Sequence, residues 1–433
     1  MNAMPGKTAE LVQAVLAEVD RLEPELVAMC RDLVRINTVN PYAGAGPTGL
    51  EKHGQEYLQP ILDDLGGDTD LFEPPPDVFD RFSICAPRDR SWKDRPNLVT
   101  TFDFGLGPRM IVNSHMDTVG VAGMAFDPFS AEVRDGRIYG RGTTDDKGGM
   151  AAGIVAIKAL LKFRDHLHGT IIHESVVDEE CSGSGAGTLA CSLAGYTADE
   201  AVVIDGGGLE IVRGCGGCLT AGVTVQGRSG HAARGGVNAI DKAVRVKTGL
   251  DAFKARREAA NPDALVNLGI FRAGEHPAVV PGSAELGLNI VYSIAEAAAN
   301  AETRGRWCGD AVREDFERSV RTAEAGDQWL AEHPSEIEWI KDLVPFETPA
   351  DSPLVQELEA AGRVALGRPL AVGIMSAWGD AANLARYAGV PSVFFGPGTT
   401  EAAHAADESV AIRDLVDCAK VVATVLCTRL AAG

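Results

Sequence analysis

The sequence predicts an α/β fold: a doubly wound, mostly parallel sheet interrupted by a smaller inserted unit of ferredoxin-like α+β order. Three short apolar runs carry the first half of that reading, at Arg109 to Ser114, Thr170 to Val177 and Ala201 to Ile204. Each is continuous and rich in β-branched residues, the pattern of a strand covered on both faces. The second half rests on a change of grammar. Strands alternate with a helix from Asn97 to Asp205, another order holds between about Cys218 and Phe346, and alternation resumes from Asp351.

Thr8 to Ile36 has helical apolar periodicity interrupted near Pro24, and Leu50 to Leu65 reads as a helix stopped by Gly66-Gly67. Glu73 to Pro96, rich in Pro, Asp and Arg, reads as hairpin or loop. A helix is expected over Gly148 to Phe163. Within the insertion the pattern predicts a strand at Leu219 to Val225, a helix at Asn238 to Ala259 and strands at Ala264 to Phe271 and Ala284 to Tyr292. A helix at Gly309 to Ala323 and a strand at Ser335 to Trp339 complete the β-α-β-β-α-β order. Val390 to Phe395 reads as a last buried strand before Gly396-Pro397-Gly398. The expected units are therefore 1–217 with 347–433, and 218–346 between them.

A chain of 433 residues exceeds one ordinary core, which agrees with two units. Hydrophobic content of 45%, a mean hydropathy near zero and no apolar run of spanning length argue against a membrane protein. No signal-type apolar core lies between Met1 and Glu18, so a cytoplasmic location is expected. The formal charge of −21 argues against nucleic acid, which needs basic surface. Nine cysteines at irregular spacing do not make a secreted disulfide framework. Cys215-Gly216-Gly217-Cys218 has redox spacing but leads into a strand-like run, without the helix start that lowers a thiol pKa, so it reads as structural.

Open α/β sheets bind ligands beyond the carboxyl ends of their strands. Here those ends carry His115-Met116-Asp117, Asp178-Glu179-Glu180 and Asp205, which are hard and borderline metal ligands gathered at one rim. Residues two apart can point the same way, so the Asp117 carboxylate is expected to hold the far nitrogen of the His115 imidazole. A satisfied histidine at a strand end is the plainer alternative. Gly140 to Gly149 is a glycine-rich turn into a helix that lacks the phosphate-binding lysine motif. It places Asp145 before the helix start, as ligand or as cap. Three adjacent carboxylates at 178–180 repel without a compensating cation, unless they form a solvated acidic turn. With a metal present, one Glu binds it while its neighbour moves protons. His404 follows the last strand and reaches the same rim; His53, His166, His168, His173, His276 and His333 show no such context.

Together these residues resemble the dinuclear-zinc amidohydrolase and peptidase family. It includes acetylornithine deacetylase, succinyl-diaminopimelate desuccinylase, aminoacylase-1, carnosinase-type dipeptidases and carboxypeptidase G. The likeness runs from Asn37-Thr38-Val39-Asn40-Pro41 to Glu408. It implies a metal-binding catalytic unit with an inserted lid and dimerisation unit. By this resemblance His115 and Asp205 hold one zinc, Glu180 and His404 a second, and Asp145 bridges them, with cobalt or manganese as possible substitutes. Asp117 orients His115, and Glu179 is the general acid/base. His231, in Gly227-Arg228-Ser229-Gly230-His231-Ala232, matches a histidine that crosses to the partner's site in dimeric relatives and stabilises the oxyanion. The implied activity is deacylation of an N-acyl amino acid or related small amide in a homodimer. Dipeptidase or carboxypeptidase action is the alternative, and a catalytically silent metal-binding relative is disfavoured because Glu179 and every ligand are present.

The chain also departs from that family. Relatives that grip a substrate carboxylate have Asn-Val-Val-Pro and a following Arg, where this chain has Ala278-Val279-Val280-Pro281 and Val291. Trp378 stands where deacylase relatives place a small polar residue. The clamp is therefore expected to be depleted and the substrate to differ from a standard N-acyl amino acid. Trp378 and Gly398 are expected as substrate contacts.

Overall fold

The computed structural model describes residues 6–43, 48–180, 183–205 and 207–431. Helices α1 (Gly6–Arg21) and α2 (Glu23–Arg35) part at Leu22, and Pro24 lies in the first turn of α2, where its missing N–H leaves nothing unpaired. Next come α3 (Glu51–Asp64), β1 (Asp68–Phe72), β2 (Asn97–Asp103), β3 (Arg109–His115) and α4 (Lys147–Leu161). They are followed by β4 (Thr170–Val176), α5 (Ala186–Leu193), β5 (Glu200–Val203) and β6 (Ile211–Cys215). A second sheet then intervenes, with β7 (Gly217–Gln226), α6 (Ala239–Ala260), β8 (Val266–Ala273), β9 (Ser283–Tyr292), α7 (Asp310–Glu324) and β10 (Glu336–Leu343). The chain returns through α8 (Pro353–Leu366), β11 (Ser392–Phe394) and α9 (Ile412–Leu430). Residues 73–96 are loop apart from one helical turn at Val78–Arg81.

The larger sheet has nine strands, with β1-β2-β4-β3-β5-β11-β6 as its main order. Strands β4, β3, β5 and β11 are parallel, and they include all three of the apolar runs. The flanks are antiparallel, so the sheet is mixed where a mostly parallel one was expected. The cause is local: residues 104–108 are too few for a crossover, so β2 must run against β3 and therefore against β4 between them. One face packs under α1, α2, α4 and α9, with Val112 and Ile171 against Val15, Leu26, Ile154 and Val422. The other carries Ile111, Ile172 and Val203 against Cys191, Ala381 and Leu384.

The smaller sheet is ordered β8-β9-β7-β10, antiparallel throughout, with the first and third of its strands in the middle as in the ferredoxin-like arrangement. Its helices cover one face through Leu250, Phe253 and Phe316, a core separate from that of the larger sheet. Asn238 caps α6 by accepting the Ile240 N–H.

A buried ion pair ties the 73–96 loop to the larger sheet. Arg95 donates its Nε to Glu51 at 2.9 Å, and its Nη1 lies 3.8 Å from Asp178. Removing one partner of such a pair strands the other in the interior. Arg95→Met is therefore expected to cost about 3–5 kcal/mol of stability in urea denaturation, and a loss below about 1 kcal/mol would contradict the assignment.

Candidate metal centre

Strands β3, β4 and β5 are adjacent and parallel, so their ends set His115, the 178–180 turn and Asp205 side by side. A second device brings in the remaining residues. The short strand Arg137–Tyr139 pairs with Ser409–Ala411, which draws the glycine loop 140–146 against the segment holding His404 and Glu408. The result centres on Asp145. Its Oδ1 lies 2.8 Å from His115 Nε2, and its Oδ2 lies 3.2 Å from His404 Nε2. His404 Nε2 is also 2.9 Å from Glu180 Oε2. His115, Asp145 and Asp205 present ligand atoms within 4.8 Å of one another, and so do Asp145, Glu180 and His404. Asp145 belongs to both groups. The capping position of α4 is taken by Asp146, whose Oδ2 accepts the His115 N–H, so Asp145 is left to face the rim.

The support for His115 differs from expectation. Its Nδ1 is held by the main-chain carbonyl of Asp117 at 2.9 Å, while the Asp117 carboxylate stands 3.8 Å away. That carboxylate instead accepts from Asn40 Nδ2 at 2.8 Å and from the N–H groups of Glu179 and Glu180 at 3.3 and 3.2 Å. Asp117 therefore orients the imidazole with its backbone and braces the glutamate pair with its side chain. Glu408, which sequence reasoning missed as a functional residue, accepts from Thr144 and Asp145 N–H at 2.9 and 3.3 Å and pairs with Arg141. No local signal marks it, because its partners lie more than 260 positions away.

The three consecutive carboxylates diverge. Asp178 adopts a left-handed φ of 70° and is buried towards Arg95, whereas Glu180 faces His404. Burial pushes Glu179 well above the usual carboxylate range, and the neighbouring charges of Asp205, Asp380 and Glu180 add to the effect. Burial and then Asp145 push Glu180 up to about 7. The hydrogen bonds that His404 donates to Asp145 and Glu180 push it up to about 12. Burial favours neutral forms of His115 and Asp145, but their mutual bond outweighs it and holds the pair charged. This carboxylate-rich set of oxygen and nitrogen donors suits borderline-to-hard divalent cations.

Residues 111–428 match the family described as Peptidase family M20/M25/M40. The chain belongs to that family. It is 30% identical, over 96% of both chains, to an N-formyl-4-amino-5-aminomethyl-2-methylpyrimidine deformylase of Halalkalibacterium halodurans. The enzyme of that name from Bacillus subtilis is 25% identical over 95% of this chain and 96% of its own. Among solved structures, an M20 family metallo-carboxypeptidase from Sulfolobus solfataricus superposes with a TM-score of 0.72 at 17% identity, covering 94% of this chain and 99% of its own. The protein is accordingly an M20 hydrolase acting on amide bonds, in a metal-dependent family.

In this M20 chain the other anticipated residues are not members of the two ligand groups. His231 is exposed on a two-residue ladder with Val279–Val280, and its Nδ1 accepts the Ala233 N–H at 3.1 Å. Ala278 is exposed beside it, its carbonyl accepting from Ala232. The Trp378 indole N–H is spent on the Val344 carbonyl at 3.2 Å. Gly398 has φ +80°, and a Cβ there would meet Thr144 at 2.6 Å, so it permits tight packing next to Asp145. Burial raises the thiol pKa of both Cys215 and Cys218, in keeping with structural cysteines. Cys181 lies outside the described residues. Among those residues no helix is long and apolar enough to cross a membrane.

Glu174 is fully buried in mid-strand, and burial pushes its carboxyl up to about 8. A carboxyl raised above its unfolded value of 4.5 favours folding while protonated, and that contribution is lost as pH rises through about 8. Glu174→Gln should therefore gain on the parent in thermal stability as pH rises from about 5 to about 8. A difference that stays constant across this window would refute the burial argument.

Proposed function

We propose that this M20 hydrolase removes a short acyl group, formyl foremost, from a small amine that offers no carboxylate to grip, using two divalent ions held around Asp145. The observation that carries the two-ion reading is the sharing of Asp145, one oxygen towards His115 and the other towards His404. His115 and Asp205 would hold one ion and Glu180 and His404 the other. Zinc fits these donors, as do cobalt and manganese. Such ions, when bound, polarise a carbonyl oxygen and lower the pKa of water. The chain's own residues do the rest. The Asp117 carbonyl takes the His115 Nδ1–H, which leaves the Nε2 lone pair facing the rim. Glu179 takes a proton from the attacking water at its carboxylate and returns it to the departing nitrogen.

Two observations support the substrate class. The relatives' named substrate is a formamide on a pyrimidine and contains no carboxylate. Ala278 and Val291 supply no charge or polar side chain where a carboxylate clamp would need one. A panel of N-formyl aminomethylpyrimidines, N-acyl amino acids and dipeptides, assayed with and without chelator, tests both parts. A higher kcat/KM for N-acetyl or N-succinyl amino acids would overturn the substrate class. Full activity after metal stripping would overturn the centre.

A homodimer through the inserted unit belongs to the same reading. β8 is an edge strand with Ile270 and Phe271 exposed, and α6 exposes Ile240 and Val244. Covering them would bury an apolar face, and exposed His231 would then serve the partner's centre. Sedimentation equilibrium should give a dimer for the parent and a monomer for Phe271→Glu; a monomeric parent would reject the arrangement. Among the described residues eight cysteines are free thiols, which supports a reducing, cytoplasmic location. Enrichment in a non-cytosolic fraction would count against it.

A further inference from the structure

We propose that Asp380 is a positioning residue for Glu179, locked in place by a hydrogen-bond relay that crosses the sheet to Glu174. The inference rests on the reading of Glu179 as the proton carrier. The Glu179 carboxylate lies against Gly379: a Cβ there would come within 3.4 Å of Oε1 and 2.8 Å of the Phe394 ring. The Gly379-Asp380 backbone is thus one wall of the seat that Glu179 occupies.

Asp380 fixes that wall. It is buried, and its Oδ2 accepts the Thr188 hydroxyl at 2.8 Å. Its Oδ1 sits so close to Gly185 that a Cβ there would lie 2.1 Å away, and Gly185 has a left-handed φ of 68°. Asn383, one turn on, donates to the carbonyls of Ser184 and Gly185 at 3.2 and 3.3 Å. The loop after Glu180 is therefore clasped to the 380–383 turn. A hydroxyl has one proton; since Thr188 gives it to Asp380, it must accept from Asn113 Nδ2, 3.1 Å away. The same Asn113 amide donates to Glu174 Oε2 at 2.9 Å, its register partner on the next strand. Four buried polar side chains in a row are costly where apolar ones would pack. This row ends at Asp380, whose backbone neighbour Gly379 walls the seat of Glu179.

Thr188→Val removes the hydroxyl at constant shape, Thr188→Ser restores it, and Asp380→Asn keeps volume while removing charge. In Thr188→Val and Asp380→Asn, kcat should fall about tenfold or more with KM within about twofold, and Thr188→Ser should stay within about twofold of the parent. Metal content should be unchanged, and a crystal structure of metal-loaded Thr188→Val should show Glu179 displaced from Gly379. The role is wrong if kcat of both variants stays within about twofold of the parent, if KM rises in step with the loss, or if Glu179 keeps its place. Should Thr188→Val not fold, Asp380→Asn decides on the same readouts. The crystallographic result needs no turnover, whereas an active Glu179→Gln would sink the proton-carrier reading alone.

Discussion

Glu179→Gln is expected to keep both ions and to lose roughly ten-thousand-fold in kcat, the upper end of what a general acid/base contributes. The amide has the carboxylate's shape but cannot take the water's proton. Glu179 stands outside both ligand groups, so its replacement should spare the ions. Asp117 braces this turn through main-chain N–H groups, which the substitution leaves intact. Steady-state kinetics beside elemental analysis will read both effects. Turnover within about tenfold of the parent would remove Glu179 from the mechanism, and loss of metal would reassign it as a ligand.

Asp145→Ala should be the most damaging ligand change, because it strikes both groups at once. Affinity for each ion should fall by more than about a hundredfold, exceeding the effect of altering an outer-sphere partner. Asp205→Ala touches one group only and should leave the ion at Glu180 and His404 in place. Competition with a chromophoric chelator will separate these outcomes, and one ion retained at parental affinity in Asp145→Ala would end the bridging assignment. The metal-free imidazoles add a second readout. Asp145 holds His115 and His404 well above the ordinary imidazole range, so both should titrate lower in the variant.

Much of this arrangement was legible before any coordinates. Continuous β-branched runs identify β3, β4 and β5 as covered strands, and their parallel pairing follows from the helices between them. The stations at their ends then share a rim by geometry alone. The alternation of strand and helix in 218–346 likewise gives the order of the smaller sheet. What escaped depends on atoms rather than patterns. Asp145 and Asp146 are neighbours, and the loop's closure decides which stands at the helix start and which faces the rim. Asp117 acts on His115 through a carbonyl that every residue possesses. Glu408, Asp380 and Thr188 work on partners remote in sequence, so no spacing announces them. The antiparallel flank was within reach, since the shortness of residues 104–108 is plain in the sequence.

The grip of Glu408 on the glycine loop sets an order of events during synthesis. A ribosome delivers Asp145 long before Glu408, which lies 263 positions later, and before His404 as well. Between them the whole inserted unit emerges and can close its own core. Throughout that interval the loop is held only by earlier partners such as the Pro128 carbonyl and His115, and the second group of ligands lacks its histidine. On the two-ion reading the growing chain therefore holds one complete group of ligands early, and the second group is completed only when the C-terminal segment arrives.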